Sequence, residues 1–357
     1  MNNIRKLGVT ALASSLVAVG AQAGEMSVNG TANFTWAQKD GTEGKSLGTN
    51  KALTVSGSGE LENGWTFSVA TYISDAMAMS THVTTLTMGS MGTLKFGHGY
   101  GGIGTGYDEE VPQANEQTSD AFQNSSNQVG AYLGNNSLAW DLPSMDLGMM
   151  SLAVDLVYSP DAGGGAANNG GQAAHTGTFG QGYGAGVTIS GLAEGLTLGV
   201  YGDIRENVKD VHTADDTRDQ FTGTWYAKYS AGPVSFGYQT SYFDSGLNPS
   251  ATTAIAANSP ATVGTSGGIF EAESMSVAFN VNDNLSISYT DTSDTYDAQA
   301  DDTGTIVDVD KDTDALQIAY SMGGMSIKAY RMEENNPNYD SDAVDQGKSE
   351  VSLSLAF

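Results

Sequence analysis

Residues 26–36 read MSVNGTANFTW. Met26, Val28, Ala32, Phe34 and Trp36 alternate with Ser27, Asn29, Thr31, Asn33 and Thr35. A period of two places the apolar set on one face of a strand and the polar set on the other. The same alternation returns at Trp65, Phe67, Val69 and Ile73, at Leu152, Val154, Leu156 and Tyr158, and at Val234, Phe236, Tyr238 and Tyr242. It appears again at Leu285, Ile287 and Tyr289, and the chain closes on Val351, Leu353, Leu355 and Phe357. Helical periodicity is nearly absent.

The separators between these runs fall into two sizes that take turns. Short ones carry Gly or Asn, as in ENG (62–64), SMG (90–92), GLAEG (191–195) and NDN (282–284). Long ones are polar and acidic: 39–49, 101–135, 159–179, 207–218, 244–267, 296–311 and 334–347, with one short member near 75–80. Counting between them gives sixteen runs, seven short turns and eight longer loops. A lipid-crossing strand takes about 9–11 residues, and bacterial barrels join an even number of strands by short turns at one end and long loops at the other. The expected fold is all-β, a transmembrane antiparallel β-barrel of about 16 strands. A soluble sandwich or β-helix also alternates, but needs neither this regular exchange of short and long connections nor aromatic residues at the run ends. Trp36, Trp65, Tyr158, Tyr242, Tyr289 and Tyr320 stand where an interfacial girdle would.

Composition agrees. The chain has 357 residues, 46 of them Gly, no Cys and a formal charge of −27. Residues 1–23 read as a secretory signal peptide: Arg5 and Lys6, an apolar stretch from Leu7 to Val19, then Ala21-Gln22-Ala23. The remaining 24–357 form one domain with no apolar stretch long enough for a spanning helix. An acidic chain without Lys/Arg runs is a poor partner for nucleic acid.

Strand count, loop order and the terminus KSEVSLSLAF (348–357) together resemble the general diffusion porins of Gram-negative outer membranes. The resemblance implies a homotrimer in outer-membrane lipid and lipopolysaccharide, with Phe357 as the signal read by the barrel assembly machinery. It implies that the third long loop, 101–135, folds back to narrow a pore for small hydrophilic solutes and ions. That loop carries Asp108, Glu109, Glu110, Glu116 and Asp120. Strand parity puts Lys95, Asp203, Arg205, Lys228 and Lys328 on the pore wall, Lys51 and Arg331 outside, and His98 is read as a pore-lining residue at the loop entrance. Porins of this type set loop carboxylates against a ladder of wall arginines. Here Gly97-His98 stands where the family has Gly-Arg, Asn135 stands at another arginine position, and no Lys or Arg occurs between Lys95 and Arg205. The expected constriction is therefore acidic and cation-preferring.

Other chemistry is weaker. Gly99-Tyr-Gly101-Gly-Ile-Gly104 has the form G-x-G-x-x-G after a strand-like run, yet no amphipathic helix follows and no strand ends about 20 residues on. The reading is a hinge into the loop. Asp308, Asp310 and Asp312 resemble the start of an EF-hand, but the sixth position is Thr313 and the twelfth Ala319. A diffuse Ca²⁺- or Mg²⁺-binding acidic loop stays open beside a solvated one; no other cofactor is expected. His82, His98, His175 and His212 lack a G-x-S-x-G elbow, so no enzyme is read. A substrate-selective channel is the alternative function, marked by Tyr72, Tyr201, Tyr226 and Tyr330 at lumen parity; a non-conducting surface barrel is a third.

Overall fold

The computed structural model describes residues 23–42, 44–74, 79–98, 102–134, 137–162, 179–207, 218–247, 261–263, 266–298 and 308–357. The expected signal peptide, apart from Ala23, and His175 and His212 lie outside the described residues.

The first five strands are β1 (Ala23–Lys39), β2 (Ser46–Glu60), β3 (Thr66–Ile73), β4 (Met79–Thr87) and β5 (Thr93–His98). A long segment then leads to β6 (Ser137–Asp141), which resumes as Met145–Asp146 in the same crossing. The gap between the two pieces holds Pro143, which has no N–H to give a neighbouring strand. Next come β7 (Ser151–Ser159), β8 (Phe179–Ser190), β9 (Leu196–Asn207), β10 (Gln220–Ala231) and β11 (Val234–Asp244). The last five are β12 (Ile269–Asn282), β13 (Leu285–Asp297), β14 (Val309–Met322), β15 (Met325–Glu334) and β16 (Gln346–Ala356). Each strand pairs antiparallel with the next, and β16 pairs back to β1 from Thr31↔Ala356 to Lys39↔Lys348. Gly30 and Phe357 complete the seam, each N–H donating to the other's carbonyl, at 2.8 and 3.0 Å. The sheet is a closed antiparallel barrel of sixteen crossings among the described residues.

Its faces are inverted relative to a water-soluble protein. On β9, Val200 is 52% exposed while Tyr201 and Asp203 on the other face are 2% and 4% exposed. On β14, Leu316 and Ile318 are exposed while Thr313, Ala315 and Gln317 are buried. Apolar side chains outside and polar ones inside suit lipid around the barrel, because only a closed sheet leaves no backbone group unpaired there. A soluble sandwich would bury the apolar face. Outward aromatic pairs accompany the band: Tyr158 on Tyr183 at 5.6 Å, Trp225 beside Tyr238 at 5.4 Å, and Phe221 beside Tyr242 at 5.9 Å between ring centroids.

The backbone of position 98 pairs with that of His82 at the end of β5; the side chain of His98, expected to line the pore, lies outside the described residues. β14 begins at Val309, inside the expected loop 296–311, so Asp310 joins Asp312 in the strand, and both share the outward parity of Leu316. Each has its own partner on β13: Thr295 Oγ1 donates to Asp310 at 2.6 Å and Ser293 Oγ to Asp312 at 2.7 Å. Those hydroxyls carry the strand beyond the apolar band and spread the carboxylates along it.

Val200→Arg is expected to destabilise the barrel by about 2–4 kcal/mol in lipid vesicles, read from urea unfolding. A loss under about 0.5 kcal/mol, the scale of an ordinary surface change, would show that this face does not meet lipid.

Candidate functional site

The segment 102–134 starts with Gly102 at φ 78°, in the left-handed region that glycine tolerates. A three-residue 3-10 turn, Gly104–Gly106, follows, where a dinucleotide site would need a helix. The backbone at Gly104 crosses that at Gly130, and a Cβ on either glycine would overlap the other's backbone. The only α-helical turn here is α1 (Thr118–Ala121), where Asp120 accepts a hydrogen bond from Gln117 N at 3.0 Å.

Between these points the segment is bonded to the polar face of the wall. Tyr107 stacks on Tyr201 at 5.2 Å, and its hydroxyl donates to Asp155 on β7 at 2.6 Å. The Gln239 amide on β11 donates to the carbonyls of Tyr107 and Asp108 at 2.9 and 2.7 Å, and its oxygen accepts from Glu110 N. Gly237 has no side chain where Val111 and Pro112 pass. Ser276 Oγ on β12 donates to the Pro112 carbonyl. Ala114 N donates to Ser288 Oγ on β13 at 2.9 Å and Asn115 N to Gln317 on β14 at 2.8 Å. Further on, the Thr118 and Thr292 hydroxyls meet at 3.1 Å, Ser125 donates through N and Oγ to buried Asp294, and Lys311 donates to the Gln123 carbonyl. The wall thus supplies partners for backbone groups that a helix or sheet would otherwise satisfy.

The face opposite has a different character. Register places Thr31, Asn33, Asn50, Thr54, Ser68 and Thr85 on the inner side of β1–β4, and confines charge there to the strand ends at Glu25, Lys39 and Glu60.

The acidic residues of the segment take distinct places. Glu109 is buried and accepts from Thr118 Oγ1 at 3.0 Å, Ser119 N at 3.1 Å and Ser119 Oγ. It braces α1 against the preceding turn instead of lining a surface, and burial raises its carboxyl against the pull of those donors. Glu110 is paired with Lys228 of β10. Asp108 is half-buried; burial first, then the charge of Glu109, pushes its carboxyl up to about 7. Glu116 is also pushed up to about 7, by burial and then by its hydrogen bond with Asp120, while Lys328 pulls the other way. Asp120 is exposed.

Of the expected wall bases, Lys95 pairs with Asp141 at 2.6 Å. Arg205 is held between the rings of Tyr132 and Phe179, 4.0 and 3.9 Å from their centroids, with Asp203 buried beside it. Two residues were missed by sequence reasoning. Glu350 lies near Glu116, accepts from Tyr330 Oη at 3.2 Å and sits 3.7 Å from Lys348; its parity in KSEVSLSLAF was the available signal. Lys311, inside the acidic run DVDKDTD, is 2% exposed and lies 3.7 Å from Glu334; it alternates with the aspartates and so faces inward.

No protein-family model and no curated protein sequence matches the chain. Solved structures do match it in fold. OmpF of Salmonella typhi in complex with daunomycin superposes with TM-score 0.66 at 11% identity, over 94% of this chain and 98% of that one. The anion-selective porin from Comamonas acidovorans gives 0.61 at 13%, over 93% and 99%. OmpT of Vibrio cholerae in its trimer form gives 0.56 at 11%, over 94% and 100%. The chain has the 16-stranded barrel fold of Gram-negative general porins.

Gly130→Ala is expected to loosen the segment and spare the barrel. Its φ of 69° costs a residue with a Cβ about 1–2 kcal/mol, and the overlap with Gly104 adds to that. Amides of 102–134 should exchange roughly tenfold faster or more, read by hydrogen-exchange mass spectrometry, with the strand amides unchanged. Unaltered exchange would contradict the close crossing.

Proposed function

We propose that this protein is an outer-membrane channel for passive diffusion of small hydrophilic solutes and ions, and that it prefers cations. The observation that carries the reading is an asymmetry inside the barrel. A segment bearing Asp108, Glu116 and Asp120 is bonded along β7–β14, and the inner face of β1–β4 opposite is lined by hydroxyls and amides without central charge. Water and ions pass between the two. Carboxylates on one side without a basic ladder on the other raise the local concentration of cations and repel anions. The shared fold does not fix this sign, since one matching structure is an anion-selective porin.

Assembly as a homotrimer is part of the same proposal. On the outer face of β3 and β4, the ring of His82 bonds Thr71 Oγ1 at 3.1 Å and Thr84 Oγ1 at 3.4 Å. A polar network facing outward among Val69, Phe67 and Leu86 is poorly solvated by acyl chains and is suited to a neighbouring subunit. The substrate-selective alternative loses part of its support, because Tyr201 and Tyr226 are buried under Tyr107.

Planar-bilayer recording tests the reading. Reconstituted protein should conduct in three equal steps, with a reversal potential in a KCl gradient that has the sign of K⁺ preference. A carboxyl raised to about 7 is neutral below that pH and negative above it. Asp108 and Glu116 therefore add negative charge as pH rises, and K⁺ preference should be larger at pH 8 than at pH 5. Preference for Cl⁻ at pH 8, or a barrel that does not conduct, would overturn the proposal.

A further inference from the structure

Three non-glycine residues have a positive φ among the described residues, and all lie in one short stretch: Asn336 at 47°, Asn338 at 57° and Tyr339 at 57°. Asparagine tolerates the left-handed region, whereas a bulky ring there is an outlier that its surroundings must hold in place. The stretch belongs to a strap, residues 335–340, in the last long loop between β15 and β16. Its outer edge is tied to β14. The Asn335 N–H donates to the Asp312 carbonyl at 2.9 Å, and Asn336 Nδ2 donates to the Asp310 carbonyl at 2.7 Å. Tyr339 is fully buried. Its ring lies 5.2 Å from that of Phe270 and 5.7 Å from that of Tyr296 between centroids, and its hydroxyl donates to Asp294 Oδ2 at 2.6 Å. Lys311 Nζ stands 4.4 Å from the centre of the same ring.

Asp294 and Lys311 are direct cross-strand partners on β13 and β14, and both also hold the inward segment. Asp294 accepts from N and Oγ of Ser125, and Lys311 donates to the Gln123 carbonyl. One buried pair of opposite charges thus grips the strap on one side and the far end of the segment on the other. A cavity of about 200 Å³ is lined by Phe122 and Gln123 of the segment and by Pro337 and Asn338 of the strap. The two pieces do not fill the space between them, which leaves the charge pair as their connection there.

We propose that the strap is a latch on the segment, with Tyr339 as the positioning residue that keeps the Asp294–Lys311 pair dry and aimed at Ser125 and Gln123. Hydrogen bonds to buried charges are strong in a low dielectric and weaken when water competes for them. Withdrawing Tyr339 admits water to the pair and frees residues 121–129. Asn335 and Asn338 are exposed on the same strap, so a molecule that displaces it from outside acts on the segment within. The coupling goes beyond the channel reading and rests on it only for its electrical consequence.

Hydrogen-exchange mass spectrometry of the full-length protein in detergent tests the latch. Tyr339→Ser should speed exchange in the strap and also in 121–129, the latter about fivefold or more, the scale of an ordinary coupling between sites. Tyr339→Phe keeps the ring over the pair and should restore most of the protection in 121–129. Coupling is reciprocal, so Ser125→Ala should loosen the strap. Faster exchange confined to the strap in Tyr339→Ser, or a strap unmoved by Ser125→Ala, would overturn the latch. So would faster exchange spread to β1–β4 across the barrel, which would mark a weakened sheet instead of a local link. In the planar bilayer, Tyr339→Ser should raise the noise of the open-channel current. A barrel that never conducts but shows the reciprocal exchange defeats the channel reading and leaves the latch standing. Steady conduction with exchange confined to the mutated loop does the reverse.

Discussion

Everything in this molecule follows from the rule that a backbone polar group in hydrocarbon must be hydrogen-bonded within the protein. The pairing of β16 with β1, ended by the reciprocal bonds of Gly30 and Phe357, removes the sheet's free edges. Once the sheet is closed, the two faces of every strand have different solvents. One face can be Val200, Phe236 and Leu316; the other can be Thr222, Gln239 and Gln317. A single inserted residue would exchange them, so the register that closes the barrel also decides what the pore is made of.

The same rule shapes the segment inside. Residues 102–134 have little regular secondary structure, so their N–H and C=O groups need partners from elsewhere. The polar face of β7–β14 provides these through Gln239, Ser276, Ser288, Gln317 and Asp294. Wall side chains that look in the sequence like generic lumen polarity are individually matched to loop backbone. The loop's charged groups are divided in turn. Glu109 holds the loop to itself and Glu110 holds it to Lys228, while Asp108 and Glu116 are part-buried and Asp120 is exposed. Burial pushes the carboxyls of Asp108 and Glu116 up to about 7.

The barrel was legible because its signal is repeated sixteen times and depends only on parity. Counting alternate residues is enough to give Lys95, Arg205 and Lys228 a common parity with the polar residues of their strands. Strand ends were less legible. Asp310 looks like a loop residue because the stretch around it is acidic, and the hydroxyl of Thr295 across the ladder bonds it where the strand begins earlier than the composition suggests. The constriction residues were legible as a segment and not as individuals. Nothing local distinguishes Glu109 from Glu110: one is buried because α1 folds back onto it, the other is drawn to Lys228, 118 residues away in sequence. Contacts of that range carry no periodic trace.

The central claim is that the acidic segment is fixed against the inner wall, leaving the opposite side open. The hydroxyls of Thr118 and Thr292 are 3.1 Å apart and both residues are fully buried, which brings the two β-carbons near disulfide range. The chain has no cysteine of its own. The double variant Thr118→Cys, Thr292→Cys, oxidised in the membrane, should form an intramolecular disulfide in nearly every molecule, detected by mass spectrometry, and should keep the conductance of the reduced protein. A barrel that folds with both thiols free after oxidation, or that loses its current when they join, would contradict the account.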